Sequence, residues 1–181
     1  LRSICVFCGS RPGADPAYVA AARAVGQAIA ANGWRLVYGA GDVGLMGEVA
    51  RATQSAGAST MGVIPIHLMS AERAKQDVTQ LVITQDMHER KKVMFMNSDA
   101  IVVLPGGGGS LDEFFEVLTW AQLKLHHKPI ILVSIDGYWQ PLLDLLTHLV
   151  TQGFADASMK GLFSVVSDVA TLELALRSRL S

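Results

Sequence analysis

The chain has 181 residues, half of them hydrophobic and 17% charged, with a formal net charge of −1. That composition suits one globular domain with a sizeable core and excludes intrinsic disorder. It offers no basic excess for nucleic acid or a membrane surface, so neither is an expected partner and any anion site must be built locally.

Short apolar runs alternate with helical patterns along the chain. SICVFCGS, from Ser3, reads as a first strand. Asp15 and Pro16 start a helix that runs to Ala31, with Gly33 at its end. RLVYGAG gives a second strand and its loop, GLMGEVARATQSAG a second helix, and STMGVIP a third strand. Residues 66–78 are ambiguous and read as a short helix and a mobile loop. QLVITQ is a fourth strand, followed by a helix from about His88. AIVVLP is a fifth, followed by four glycines and a helix to about Leu125. PIILVS is a sixth strand, and YWQPLLDLLTHLVTQG a helix with Pro141 in its first turn. FSVVS and a helix from Asp168 complete the pattern. Strands apolar on both faces belong in a parallel sheet covered by helices. The expected fold is therefore α/β, a Rossmann-like doubly wound parallel sheet with helices on both faces, in a single domain over residues 1–181.

No apolar stretch has the length of a membrane span, since PIILVSIDGYW is broken by Asp136. The chain enters a strand pattern directly, without a signal-peptide layout, and a cytoplasmic location is expected. Cys5 and Cys8 form a lone C-x-x-C. Three residues apart on a strand means opposite faces, and there is no second pair for zinc, so a structural role is expected for both.

Ligands of such folds sit beyond the carboxyl ends of the strands. That rule selects the loops GSRPG, YGAGDVG, IPIHLM, TQDMHERKK and LPGGGGS. Gly39 to Gly44 match G-x-G-x-x-G, but after the second strand, and STMGVIP ends without the acid that a ribose hydroxyl needs. Close backbone approach to another ligand, or a tight turn, suits this loop better than NAD. PGGGGS lacks the lysine of a P-loop. Free N–H groups at a helix start with no Cβ in the way still make a phosphate cradle, and four glycines exceed what a turn requires. Ser110 can cap the helix or donate to a phosphate oxygen. Asp112 and Glu116 share a helix face, while Glu113 points elsewhere. A first-turn carboxylate lies about 5 Å along the axis from the cradle, within reach of the sugar of a nucleoside 5′-monophosphate. The plainer reading of Asp112 and Glu113 is stabilisation of the helix start. Arg90 and Lys91 stand near the start of their own helix, against its dipole. An anionic ligand or Glu113 would compensate them, and a solvated basic patch is the alternative. His88 and Glu89 do not complete H-E-x-x-H, His126 and His127 fall where they can cap a helix end, and no metal is expected.

Read together, these loops resemble one family. PGGGGSLDE resembles the P-G-G-x-G-T-x-x-E signature of the Lonely Guy (LOG) family, often labelled lysine decarboxylase-like, and MHERK resembles its M-H-x-R-K stretch. CGSR, YGAGDVGLMG, GVIP and EVLTWAQL fall in the same order, so the resemblance runs from about Ile4 to about Gly153. It implies a phosphoribohydrolase that cleaves the N-glycosidic bond of cytokinin riboside 5′-monophosphates, and often AMP, to free base and ribose 5-phosphate. It implies Arg90 and Glu113 as the catalytic pair. Glu72, Lys91, Gly107, Gly108, Gly109, Ser110, Leu111, Asp112 and Thr119 then fall at substrate-binding positions. It implies no cofactor, pyridoxal phosphate included, and a homodimer in which the helix over 111–125, with Trp120, borders both site and interface. Ser110 stands where the signature has Thr, and Ala40 where the family has a glycine, which would narrow the second loop. Molybdenum-cofactor carrier proteins look similar and are the non-catalytic alternative; Arg90 and Glu113 together argue for the enzyme.

Overall fold

The computed structural model describes residues 1–181. The apolar runs form strands β1 (Ser3–Phe7), β2 (Arg35–Tyr38), β3 (Thr60–Pro65), β4 (Gln80–Thr84), β5 (Ala100–Val103), β6 (Ile130–Val133) and β7 (Ser164–Val166). They pair in parallel in one sheet, in the order β4-β3-β2-β1-β5-β6-β7. Ile4 of β1 faces Leu36 on one side and Ala100 on the other. All residues of β1, β5 and β6 are buried, which is why these strands read as unbroken apolar runs. Edge strand β4 is only partly covered. The first four strands step outward in one direction, and β5 returns to the other side of β1. The switch point of the sheet therefore lies between β1 and β5.

Helices α1 (Pro16–Ala31), α2 (Gly44–Ser55), α3 (Met87–Met96), α4 (Gly108–Gln122), α5 (Gln140–Thr151) and α6 (Val169–Leu180) cover the two faces. Val25, Ile29, Val49 and Leu172 bring α1, α2 and α6 into one core with Ile4, Val6 and Cys8. Met94, Phe114, Leu118 and Leu146 bring α3, α4 and α5 into the other, with Cys5 and Phe7. The two cysteines thus lie on opposite faces, buried and unbridged.

The ambiguous stretch becomes a short 3-10 turn at Ile66–Leu68 and a loop held by backbone bonds. Gly41 and Ala74 form an antiparallel bridge, Asp42 N donates to Glu72 O at 3.0 Å, and Lys75 N donates to Ala40 O at 2.8 Å. The loop after β2 and the loop after β3 are therefore stitched together. Helix α3 is capped by Asp86, which accepts from Glu89 N at 2.8 Å.

Helix α4 differs from expectation at its start. Its N-cap is Gly107 and no side chain caps it, so Ser110 is not the cap but the third helical residue, buried with its hydroxyl against Gly106. The glycines themselves enter the helix, which pushes Asp112 and Glu113 into the second turn, beyond the reach of a strong N-terminal dipole effect. The helix also ends earlier, at Gln122, with Lys124 in a left-handed conformation just after it.

Candidate active site

Strands β1, β2 and β5 end on the same edge of the sheet. The loops that follow them and the loop after β3, with α3 and the start of α4, enclose a cavity lined by Gly9 and Ser10, Gly39, Glu72, Arg90, Gly107 to Ser110 and Glu113. Met46, Met87 and Met94 supply much of its apolar wall.

Arg90 is buried on its wall, and most of its donors are committed. Nε donates to Val63 O at 3.0 Å, and Nη2 donates to Gly39 O at 2.6 Å and to Glu72 Oε2 at 2.8 Å. Nη1 reaches Glu72 Oε1 at 3.5 Å. Glycine is required at 39 because a Cβ there would collide with Nη2. The charge partner of Arg90 within the chain is Glu72, contributed by the stitched loop after β3, and not Glu113.

Glu113 projects from the second turn of α4 into the same cavity. Burial pushes its carboxyl up to about 8; the Arg90 charge opposes the rise, and Asp112 and Glu72 add to it. A carboxyl shifted upward in this way is suited to donate a proton near neutral pH. Cys8 also borders the cavity, but burial and the nearby Glu113 push its thiol well up, so it is a neutral wall group and not a nucleophile.

The helical period separates the remaining positions. Asp112, Glu116 and Thr119 recur at four and three residues and share the face of α4 turned away from the cavity, while Gly109, Ser110 and Glu113 share the face turned toward it. Lys91 lies on the outer side with the first group. Its Nζ is 3.0 Å from Asp112 Oδ2 and also contacts Glu116. Burial works against its charge, but the hydrogen bonds that it donates to Glu116 and Asp112 outweigh this and hold its pKa above the usual lysine value. Lys91, Asp112 and Thr119 therefore do not line the cavity, and neither does Leu111, which packs toward the core. Thr119 borders a separate shallow groove with Phe115 and Trp120.

The two glycine loops differ in what explains them. Gly39 and Gly41 answer crowding inside the chain, from Arg90 and from Met46 with Glu72. Ala40 does not narrow that loop: it takes a left-handed φ of 62°, and its methyl is buried against Gly62 of β3. Gly107, Gly108 and Gly109 have no such cause. None has a positive φ, all are exposed, and a Cβ at any of them would meet nothing within 4 Å. Gly107 is the N-cap, where glycine is tolerated well, but inside the helix Gly108 and Gly109 are each less favourable than alanine, by up to about 1 kcal/mol. Packing within the chain does not account for them, and they leave the backbone at the start of α4 open to the cavity.

A second cavity lies on the other side of Gly107, over the switch point between β1 and β5. Arg11, Gly13, Tyr18 and Tyr138 line it, and it shares Gly9, Ser10 and Gly107 with the first. The Tyr138 hydroxyl donates to Gly106 O and ties the glycine turn to the loop after β6. Neither Ser10 nor the methionines stood out in the sequence; only their placement after strands or beside MHERK marked them.

Residues 46–175 match a family model described as "Possible lysine decarboxylase". The chain is 41% identical to the cytokinin riboside 5′-monophosphate phosphoribohydrolase of Rhodococcoides fascians over 178 residues, 98% of this chain and 90% of that one. It is 44% identical to the cytokinin riboside 5′-monophosphate phosphoribohydrolase LOG3 of Arabidopsis thaliana over 153 residues, 84% of this chain and 71% of that one. Among solved structures, the molybdenum cofactor carrier protein of Chlamydomonas reinhardtii matches with a TM-score of 0.75 at 25% identity, over 99% of this chain and 97% of that one. The molybdenum cofactor binding protein of Rippkaea orientalis matches at 0.73 and 22% identity, over 99% of this chain and 98% of that one, and shares the fold. With a family model matched over most of its length and identity above 40% to such relatives, the chain belongs to the Lonely Guy (LOG) family, the group that carries the lysine decarboxylase label.

Proposed function

We propose that this protein is a nucleoside 5′-monophosphate phosphoribohydrolase, acting on AMP and cytokinin riboside 5′-monophosphates to release the free base and ribose 5-phosphate. The observation that carries this reading is the meeting, in one cavity, of the buried carboxyl of Glu113, the Arg90–Glu72 pair and three exposed glycines at the start of α4. The relatives' names supply the substrate class.

In this reading the 5′-phosphate binds the N–H groups at the start of α4, where the dipole favours an anion. The sugar then lies toward Glu113. Glycosidic cleavage passes through a sugar cation, and the departing base needs a proton. Glu113 donates that proton to a ring nitrogen of the base as the bond to C1′ breaks. The carboxylate left behind stabilises the cation and accepts a proton from the attacking water, which restores the acid. Glu72, held by Arg90, is an acceptor for a ribose hydroxyl. Lys91, Asp112 and Glu116 act outside the cavity by tying α3 to α4, which sets Glu113 relative to Arg90. Leu111 and Thr119 have only indirect roles in this arrangement.

A homodimer fits the exposed apolar side chains Met96 of α3 and Leu123 and Leu125 at the end of α4, beside Trp120. Light scattering on the purified protein tests this directly. No helix is long and apolar enough to cross a membrane, and a cytoplasmic setting fits two free cysteines. The test of function is chromatographic detection of adenine from AMP and of isopentenyladenine from its nucleotide. AMP that binds without base release would favour a carrier, as the fold shared with the Chlamydomonas protein would allow.

A further inference from the structure

A phosphate dianion at the start of α4 needs a cation, and the obvious candidates are occupied. Arg90 is paired with Glu72 and bonded to two backbone carbonyls. Lys91 is held by Asp112 and Glu116 outside the cavity. The first cavity itself is lined by two acidic side chains, Glu72 and Glu113, and by no cation other than the committed Arg90. The second cavity has the opposite character. Arg11 lines it, no carboxylate does, and Gly107 belongs to both. Arg11 is exposed, and it appears in none of the ion pairs of the chain.

The backbone that carries Arg11 is fixed beside the glycine turn. Gly9 N donates to Pro105 O at 3.0 Å, and Leu45 N donates to Gly9 O at 3.0 Å. Two residues further on, Gly13 turns at φ 78° beneath the Tyr18 ring, where a Cβ would come within 2.6 Å of the ring. The stem of the loop is thus pinned between β5 and α2 while the guanidinium stays free. A free cation on a fixed stem at the mouth of an anion cradle has a binding role available and no structural one.

We infer that Arg11 is the cation that recognises the 5′-phosphate, reaching it from the second cavity while the sugar occupies the first. The inference rests on the nucleotide reading above. It assigns to the loop after β1 the phosphate charge that M-H-x-R-K suggested for Lys91. It also explains how a site walled by two acidic side chains and a committed arginine accepts an anion: attraction comes from the side away from the acids.

The test uses Arg11→Gln, Arg11→Lys and a control, Lys92→Gln, which removes an exposed charge on α3 that lines neither cavity. AMP hydrolysis, inhibition by ribose 5-phosphate and thermal melting are measured for each. Loss of a charge-assisted phosphate contact should raise KM for AMP and the inhibition constant of ribose 5-phosphate by about tenfold to a hundredfold in Arg11→Gln. Arg11→Lys should recover part of this. Lys92→Gln should change neither, and all melts should match wild type because Arg11 holds nothing in the fold. Unchanged KM and unchanged inhibition in a folded Arg11→Gln protein would overturn the inference. If wild type releases no base, the functional reading fails, and calorimetry with AMP still decides on Arg11: weaker binding in Arg11→Gln supports it, equal binding overturns it. Wild type that binds neither AMP nor ribose 5-phosphate overturns both.

Discussion

Glu113→Gln separates chemistry from stability more cleanly than any other substitution in this protein. Gln keeps the size of the side chain and removes its proton donor and its charge. In the folded protein the carboxyl moves from its ordinary 4.5 to about 8, chiefly by burial. Each pH unit between those values is worth about 1.4 kcal/mol, so keeping this acid buried costs folding stability by an amount that grows as pH rises from about 4.5 and levels off above about 8. The sign follows from proton counting: between those limits the folded state binds more protons than the unfolded one, so stability falls with rising pH. At neutral pH the cost is at most about 3 kcal/mol, reduced by water at the mouth of the cavity. The Gln variant lacks this term. Its melting temperature should therefore match wild type near pH 5 and exceed it by several degrees near pH 8. Turnover should fall by about a hundredfold or more while AMP still binds. In wild type, kcat/KM should fall above about pH 8 as the acid loses its proton. The assay is a melt series across pH beside chromatographic base release. Parallel melting curves across that range would refute the displaced ionisation, and near-normal kcat in a folded variant would remove Glu113 from the chemistry.

Glu116→Gln is the companion: it loosens Lys91 without touching the cavity, so it should cost about 1–3 kcal/mol in a denaturant melt, with kcat changed far less than in Glu113→Gln. Arg90→Ala leaves Glu72 without its partner and should abolish base release, with a stability loss of about 3–5 kcal/mol by the same melt; Arg90→Lys should not rescue turnover, because one ammonium cannot span Val63 O, Gly39 O and Glu72. Gly62→Ala would place a Cβ 2.6 Å from that of Ala40 and should destabilise by about 1–3 kcal/mol; Ala40→Gly in the same chain should recover much of that loss, and independent effects in a double-mutant cycle would show that the two do not touch. AMP should be hydrolysed with far higher kcat/KM than adenosine, since phosphate binding energy is available at the glycosidic bond; equal values would give the glycine cradle another purpose.

The sheet was legible because parallel strands buried on both faces leave an unmistakable mark: ICVF, IVV and IILV carry no solvent side at all. Local chemistry was legible where one residue decides it, as at Asp15-Pro16 before α1. The start of α4 was not, because glycine reads as loop, and nothing in the local sequence shows that two of these glycines already belong to the helix. That misplacement moved Ser110 out of the helix and drew Asp112 and Glu113 into its first turn.

The harder limit lies in residues adjacent in sequence. Arg90 and Lys91 look alike as neighbours in MHERKK, yet on a helix they point about 100° apart. That rotation sends one to Glu72 inside the cavity and the other to Asp112 and Glu116 outside it. The same division splits Asp112 from Glu113. Each basic neighbour thus finds its acid through a separate tertiary contact, and no spacing rule within one segment could pair them. Glu72 shows the point most fully: it lies in the stretch with the weakest secondary-structure signal, 18 residues before Arg90, and reaches it only because backbone bonds stitch that loop to the one after β2. The cavity pairs Arg90 with Glu72 across those loops, while Glu113 on its wall and Arg11 in the neighbouring cavity enter no ion pair; in the reading proposed above, the acid is thereby left for the sugar and base, and Arg11 with the three exposed glycines for the phosphate.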